Sequence, residues 1–319
     1  MSILITGTGT VGVQAIRSAI ERGVEDVIAL DIAPNSEFIE SIAGKNYRLE
    51  RGSIVNLPLL MEIIVKNGVT RIIHTAVVPE EYPHLYDTIY TNIMGTINIF
   101  EAARLLKVER VVSCSTGSVY DFENRRPDAP VQESWPHSVK NWDTYASTKV
   151  ALEHFISNYI HKYGMDIVAF RLATTYGPSQ NYSMKDKRWI FELIRNAYVD
   201  KLVKFDVVPE RRLPWTYAKD AADLLVQAAY HPDKPKMEIY NCAYPKLNGL
   251  SDMIQGLKDL VPDLNVDINE IQNMGWKFPY DLSRTEEEFK FQFKYSPKEA
   301  FADYLEWIKS NPKFFGKKS

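Results

Sequence analysis

Ser2-Ile3-Leu4-Ile5-Thr6-Gly7-Thr8-Gly9-Thr10-Val11-Gly12 follows Met1 and decides the reading of the whole chain. Ser2 to Thr6 is apolar enough for a buried strand, and Val13, Ile16, Ala19 and Ile20 recur at helical spacing. Between strand and helix stands Gly-x-Gly-x-x-Gly. In a parallel α/β sheet such a turn receives a dinucleotide pyrophosphate: the glycines let the backbone turn and approach, and the helix N-terminus presents unpaired N–H groups at the positive end of its dipole. Alone the motif is a weak signal. Its context strengthens it, because the next apolar run, Val27 to Leu30, ends at Asp31. That is about twenty residues on, where a carboxylate meets the hydroxyls of an adenosine ribose.

The rhythm set by this first unit continues. Pro34 to Ala43 reads as a short helix or loop, and Tyr47-Arg48-Leu49 as a third strand ending at Arg51-Gly52-Ser53-Ile54. Pro58 to Lys66 reads as a helix, Arg71 to Ala76 as a strand, Asp87 to Leu106 as a long amphipathic helix and Arg110 to Ser115 as a fifth strand. Thr144 to Tyr163 is again helical, and Asp166 to Leu172 a strand. Such alternation requires right-handed βαβ units and a parallel sheet covered on both faces, an α/β doubly wound, Rossmann-type fold. The polar stretch Asp121 to Asp143, with Pro127, Pro130 and Pro136, is long for a plain connection and suits a lid or binding loop. Beyond Gly177-Pro178 the rhythm breaks. Short strands (Leu202–Phe205, Glu238–Tyr240) mix with helices at Arg188–Val199, Ala218–Tyr230, Ser251–Leu260 and Ser296–Ile308. The expected division is a dinucleotide-binding domain over 1–175 that carries the catalytic residues and a smaller α+β substrate lobe over 176–319, with the chain free to cross back between them. Gly316 to Ser319 reads as a frayed tail.

Composition excludes several classes. The chain has 319 residues, 45% hydrophobic and 25% charged, the profile of an ordinary globular protein. A net charge of −3 and a pI of 6.1 give no footprint for nucleic acid. No apolar run is long enough to span a bilayer and no leader-like segment is legible, so the expected location is the cytoplasm, away from membranes. The two cysteines, Cys114 and Cys242, read as buried thiols and make no metal framework, and no metal is expected.

The chemistry centres on Tyr145-Ala146-Ser147-Thr148-Lys149. At i and i+4 on a helix the phenol and the ammonium share a face. A free tyrosine has a pKa of about 10, and a fixed positive charge beside it favours phenolate, so Tyr145 suits the task of taking or returning an alcohol proton. Tyr-x-x-x-Lys also arises by chance on amphipathic helices. Its company gives it weight: the fifth strand runs into Ser113-Cys114-Ser115-Thr116-Gly117-Ser118-Val119-Tyr120, and active sites of doubly wound sheets lie beyond the carboxyl ends of strands. Turn-forming Ser, Thr and Gly would also be expected there with no chemistry at all.

Glycine turn, Asp31, hydroxyl-rich strand end and Tyr-x-x-x-Lys in this order make the sequence resemble the extended short-chain dehydrogenase/reductases, and within them the NAD-dependent epimerase/dehydratase group. Ile73-His74-Thr75-Ala76, Asn92-Ile93-Met94-Gly95-Thr96, Arg171 to Pro178 and Tyr217-Ala218-Lys219-Asp220-Ala221-Ala222 carry the same likeness. The resemblance implies Thr116, Tyr145 and Lys149 as the catalytic set. It implies NAD as cofactor, with Asp31 repelling a 2′-phosphate. The contacts it implies are Gly7, Gly9, Thr10, Val11, Gly12, Asp31, Ile32, Ser53, Ile54, Thr75, Ala76, Val77, Asn92, Cys114, Tyr145, Lys149 and Ala173. Thr116, Ser118, Thr174 and Arg212 (or Arg211) are the substrate candidates. His74 reads as a satisfied core histidine. A homodimer is implied through the helices Tyr90–Leu106 and Thr144–Tyr163, whose faces carry Ala102, Ala103, Ala146 and Ala151.

Departures from the pattern bear on the reaction. The glycine turn is one residue shorter than the group's usual form, and Gly52-Ser53 stands where Gly-Asp is common. Thr116 is followed by Gly117-Ser118 rather than the Asp-Glu of sugar-nucleotide 4,6-dehydratases, so dehydration is not expected. Thr174 replaces an asparagine usual in members that use nucleotide sugars, and no arginine follows Arg284. Arg188 and Arg195 are possible substitutes. Trp135, Trp142, Trp189 and Trp215 are candidates to stack on a sugar ring, with lobe core as their plain reading. The first reading is therefore net hydride transfer between NAD(H) and a secondary alcohol or ketone of a sugar, sugar acid or similar small hydroxy compound. The second is a nucleotide-sugar epimerase with transient hydride transfer, and the third a non-catalytic dinucleotide-binding regulator.

Overall fold

A computed structural model describes residues 1–78, 84–122, 129–138, 143–179 and 185–315, without the side chains of 185–189, 209, 211, 273–277 and 315. The elements run β1 (Ser2–Thr6), α1 (Thr10–Glu21), β2 (Asp26–Asp31), α2 (Ser36–Ala43), β3 (Arg48–Arg51), α3 (Leu57–Lys66), β4 (Val69–His74) and α4 (Leu85–Ile89). A π turn at Tyr90–Met94 leads from α4 into α5 (Gly95–Leu105), followed by β5 (Arg110–Thr116), a 3₁₀ turn at Gly117–Val119, α6 (Thr144–Tyr163) and β6 (Ile167–Leu172). Then come β7 (Thr175–Tyr176), α7 (Lys185–Val199), β8 (Leu202–Arg212), β9 (Thr216–Tyr217), α8 (Ala218–Ala229), β10 (Ile239–Cys242), α9 (Leu250–Leu260), β11 (Asn265–Lys277), α10 (Ser283–Phe289) and α11 (Pro297–Ser310).

Seven strands form one sheet in the order β10-β6-β5-β4-β1-β2-β3, every pairing parallel. The order reverses between β1 and β4, which places a crevice at their carboxyl ends. Successive strand residues point to opposite faces, and the core divides accordingly. Ile3, Ile5, Val27, Ala29, Ile73, Val112 and Phe170 face α1 and α8. Leu4, Ile28, Leu30, Ile72, Val111 and Ala169 face α3, α5 and α6. A separate core joins Leu193 and Ile194 of α7, Val203 of β8, Met253 and Leu257 of α9, and Phe301 and Tyr304 of α11. Sheet and second core realise the α/β Rossmann fold and the smaller lobe read from the sequence.

Several boundaries differ. The third strand is Arg48–Arg51 rather than 47–49. Residues 218–242 return to the main sheet: α8 packs with α1 on one face, and β10 is the seventh strand, beside β6. The chain therefore crosses back to the sheet after residue 175. β8 extends to Arg212 because it pairs in parallel with β11, a strand that the sequence reading left out. The tail Gly316–Ser319 and Trp142 lie outside the described residues, and so do the side chains of Arg188, Trp189 and Arg211.

One buried cation ties the elements behind β5. Arg110 donates from Nε and Nη2 to Asp166 Oδ2 at 2.9 and 2.8 Å, and to the carbonyls of Ala228, His231 and Asp233 at 2.9, 2.6 and 2.7 Å. It thus closes the C-terminal end of α8 onto the start of β6. Breaking a buried charge pair leaves its partner uncompensated, so Arg110→Met is expected to lower the unfolding free energy by about 3 kcal/mol. Urea denaturation followed by circular dichroism checks this, and an unchanged midpoint would refute it.

Candidate active site

The glycine turn is built by exclusion. Gly7 has φ +84°, and a Cβ there would stand 2.7 Å from the backbone of Ala76. A Cβ on Gly12 would stand 2.7 Å from Thr75 Oγ1, which itself donates to the carbonyls of Thr6 and Gly7 at 2.8 and 3.2 Å. Gly9 is different: a Cβ there meets nothing within 4 Å. It caps α1 with no side-chain hydrogen bond, and the first turn holds no acidic residue. The unpaired N–H groups of α1 therefore open onto free space. This cradle fits a pyrophosphate. Asp31 sits at the end of β2, where Oδ2 accepts from Thr8 N and Oγ1 at 2.7 and 2.9 Å and Oδ1 from Ala33 N at 2.9 Å. A carboxylate accepts about four hydrogen bonds, so capacity remains for a ribose hydroxyl.

Asp143 caps the helix that carries the candidate base, accepting from Ala146 N at 3.3 Å. Tyr145 is hydrogen-bonded to Thr116, the last residue of β5. Lys149 lies one turn further along the same helix face. Its Nζ donates to Cys114 O at 2.7 Å and stands 5.8 Å from the Tyr145 ring centroid. Burial raises the Tyr145 phenol above its ordinary value, and the Thr116 hydrogen bond opposes that rise. Burial also lowers the Lys149 ammonium to about 8, with the Glu153 carboxylate acting the other way. At neutral pH Lys149 therefore still carries its proton.

The remaining expectations sort by where the structure puts them. Thr10, Val11, Gly12, Thr75 and Ala76 gather at the turn, and Cys114, Thr116, Tyr145 and Lys149 gather at the end of β5. Ile32 and Val77 are exposed at the carboxyl edge. Ser53 Oγ accepts from Val55 N at 3.3 Å. Ile54 is buried, and its side chain fills the space beside Gly95. Ala173 and Thr174 follow β6, bonded through Ala173 N to Cys242 O (2.9 Å) and Thr216 N to Thr174 O (2.9 Å). Ser118 is exposed beside Thr116, its Oγ 3.3 Å from Thr116 Oγ1.

Three of the named residues are engaged by other protein groups. Asn92 is buried in the π turn. Its Oδ1 accepts from Val78 N (2.8 Å), and its Nδ2 donates to Val78 O (3.0 Å) and Thr148 Oγ1 (3.2 Å), so the amide joins the segment after β4 to α6. Arg212 is paired with Asp252 at 2.9 Å and faces Glu210 at 3.8 Å. Trp215 is buried in the lobe core, edge-on to Tyr176. His74 matches its expected role as a core residue. Thr96 donates to Asn92 O (2.7 Å), so His74 Nε2–H donates to Thr96 (3.0 Å) and Nδ1 accepts from Thr6 (2.8 Å). Burial, with Lys149 nearby, lowers its pKa to about 3.

The sequence reading missed two features. Glu153 is a third polar residue on the Tyr145–Lys149 face, and its i+4 spacing from Lys149 was legible. Tyr280 arrives from far along the chain: a Cβ on Gly117 would overlap its hydroxyl. The segment around Tyr280 is held by Val131 N to Pro279 O (2.8 Å) and Asp281 N to Val131 O (3.0 Å).

The all-parallel sheet and its open glycine cradle define a Rossmann-type dinucleotide-binding protein. Residues 3–243 match the NAD dependent epimerase/dehydratase family, and the chain belongs to that family, enzymes of the extended short-chain type that use NAD. A UDP-glucuronate 4-epimerase from Thermodesulfobacterium geofontis (strain OPF15) is 28% identical over 56% of this chain and 54% of its own length, so the match spans about half of that relative. Two solved structures share the fold over nearly the whole chain. UDP-glucose-4-epimerase from Stenotrophomonas maltophila, with bound NAD and formylated UDP-arabinopyranose, has a TM-score of 0.84 at 17% identity, covering 98% of this chain and 99% of that one. UDP-glucuronic acid 4-epimerase from Bacillus cereus, in complex with UDP-glucuronic acid and NAD, has a TM-score of 0.80 at 20% identity, covering 97% and 99%.

The open space above Gly9 gives a direct test of the cradle. A Cβ at position 9 meets no protein atom within 4 Å, so Gly9→Val is expected to melt at the wild-type temperature without cofactor. In wild type a saturating ligand at about 100 times its Kd adds about 2.7 kcal/mol. The variant should lose that NAD-dependent rise, and thermal melts with and without NAD measure it. A full rise in Gly9→Val would place the pyrophosphate elsewhere.

Proposed function

We propose that this protein is an NAD-dependent epimerase acting on a nucleotide sugar through transient hydride transfer, with Tyr145 as general acid and base. The observation that carries the reading is the convergence of Thr116, Tyr145 and Lys149 at the carboxyl end of β5. Oxidised nicotinamide, when bound, accepts a hydride and adds positive charge beside the phenol. Thr116 orients the substrate hydroxyl by hydrogen bonding, the buried Lys149 ammonium stabilises Tyr145 as phenolate, and Tyr145 Oη takes the hydroxyl proton to become the neutral phenol as the hydride leaves the carbon. The same three groups serve the return step. The cradle around Gly9 and the carboxylate of Asp31 hold the dinucleotide. The relatives' UDP-sugar names favour epimerisation over the net dehydrogenation ranked first by the sequence reading.

Net dehydrogenation of a smaller sugar or sugar acid is the second reading. What favours it is the pairing of Arg212 with Asp252, which occupies a candidate diphosphate-binding arginine. Residues Leu85, Tyr86, Ile89, Tyr90 and Met94 are exposed along α4 and the π turn. This apolar stripe supports the proposal that a second copy of the chain covers it. Light scattering should then report about twice the 36.6 kDa chain mass, and a monomeric mass would overturn it. Among the described residues no helix is long and apolar enough to cross a membrane.

Incubation of the NAD-loaded protein with UDP-glucuronic acid or UDP-glucose is expected to yield the 4-epimer with no net reduced cofactor. Stoichiometric reduced cofactor would establish the second reading instead. Tyr145→Phe should lower kcat about 10³-fold, within the range for loss of a general acid/base. The alkaline limb of the kcat/KM profile should fall near pH 8, where Lys149 loses its proton. A rate that stays flat through pH 9 would remove Lys149 from this role.

A further inference from the structure

We propose that Glu153 is a positioning residue for hydride transfer: from the α6 face that carries Tyr145 and Lys149, its carboxylate holds Ser115, and with it Thr116, in register with the helix, and clamps the 131–138 segment through Arg171 and His137. The inference rests on the Tyr145 reading above.

The geometry is a hub of short bonds around one carboxylate. Ser115 Oγ donates to Glu153 Oε1 at 2.5 Å. Arg171 donates from Nε to Oε1 at 2.9 Å and from Nη2 to Oε2 at 2.7 Å, while His137 Nε2 lies 2.7 Å from Oε2. Ser115 and Arg171 are register partners on β5 and β6, so Glu153 bridges a strand pair at its carboxyl end. Arg171 also donates from Nη1 to Glu133 O at 3.0 Å and lies 4.5 Å over the Tyr120 ring. Three parts of the site thus meet at one side chain: the strand end bearing Thr116, the 131–138 segment and the catalytic helix. Its side chain is 1% exposed and that of Arg171 3%.

Stability alone is a poor reason for this arrangement. Taking two charges out of water costs roughly what their attraction returns, and apolar replacements of similar shape are commonly neutral or better. Placement on the catalytic face is what a positioning role requires. Charge adds to it. Burial would raise the Glu153 carboxyl, but Arg171, His137 and Ser115 overcome that and hold it at about 2. Glu153 therefore stays an anion and favours the ammonium form of Lys149, one turn away. The other titratable groups facing Lys149 are Tyr145 on its own helix, the Cys114 thiol on β5 and His74 on β4. Those facing Glu153 are Arg171, His137 and the Tyr120 phenol, with Glu133 behind Arg171.

The test compares Glu153→Gln, Glu153→Asp and Ser115→Ala with wild type and Tyr145→Phe, as full-length NAD-loaded protein turning over UDP-glucuronic acid, with hydrogen exchange read in parallel. Glu153→Gln is expected to lower kcat about tenfold with KM for the sugar within about twofold, the signature of misplacement rather than lost binding. Its alkaline limb should move below that of wild type, because Lys149 loses a neighbouring anion. Glu153→Asp, which keeps the charge, should keep the limb. Ser115→Ala should lower kcat without moving the limb, and amides of 115–119 should exchange about tenfold faster. Should Glu153→Gln fail to fold, Ser115→Ala decides, since it leaves the ion pair intact. Folded variants with wild-type kcat, limb and exchange would overturn the inference. Loss of activity in Tyr145→Phe alone would leave the catalytic reading standing while the Glu153 role falls. Wild-type activity in Tyr145→Phe would end both.

Discussion

An ammonium buried against one carbonyl constrains the rest of the site. Lys149 is held by Cys114 O at 2.7 Å and is almost fully enclosed. A desolvated cation favours its neutral form, so the surroundings decide whether it keeps its proton. Glu153 acts to retain it, and the Cys114 thiol, pushed up to about 12 by burial, stays neutral beside it. Tyr145, one turn earlier on α6, shares that low-dielectric corner. Its phenol is raised by the same burial, which makes a nearby positive charge a requirement for base chemistry rather than an embellishment.

The corner stays fixed because a line of buried polar groups crosses the sheet's carboxyl edge. It runs from Thr6 on β1 to His74 on β4, then to Thr96, the Asn92 carbonyl in the π turn, and through the Asn92 amide to Thr148 on α6. Thr148 in turn donates to Tyr145 O at 2.7 Å. Each member satisfies its neighbour, so none is left desolvated and unpaired. The π turn is the irregular step in the path from α4 into α5, and it turns Asn92 inward. The strand leading into the glycine turn and the helix carrying Tyr145 are thus joined by hydrogen bonds as well as by packing.

The sheet was legible because its strands recur between helical stretches as short runs with an apolar centre, and Ser2–Thr6 and Arg110–Thr116 are buried along their whole length. α6 was readable to its ends because Asp143 and Gly164 cap it, Gly164 in the left-handed conformation. The cradle glycines were legible because they follow β1 directly, and Tyr145 and Lys149 because residues four apart on a helix share a face. Other features came from distant chain. The return of α8 and β10 to the first sheet depends on packing that no local period encodes. β11 did leave a trace, the alternation of Val266 and Ile268 with polar neighbours, and both pack on the lobe core. The bonds of Asn92 to Val78 and Thr148 were not legible, because its sequence context shows neither partner.

Gly117 shows how a missing side chain reflects its surroundings. Read as sequence, the residue after Thr116 is a turn glycine that supplies no acid. In the fold a Cβ there would overlap the Tyr280 hydroxyl, so the space belongs to a phenol delivered by another segment. The backbone bonds of Pro279 and Asp281 to Val131 hold that segment against the 131–138 stretch, and Asn241 Nδ2 donates to both Val131 O and Asp281 O, at 2.9 and 3.0 Å. Replacing Gly117 by a carboxylate would therefore require the Tyr280 ring to move. The chemistry available beside Thr116 is set as much by the lobe that leans over it as by the strand it ends.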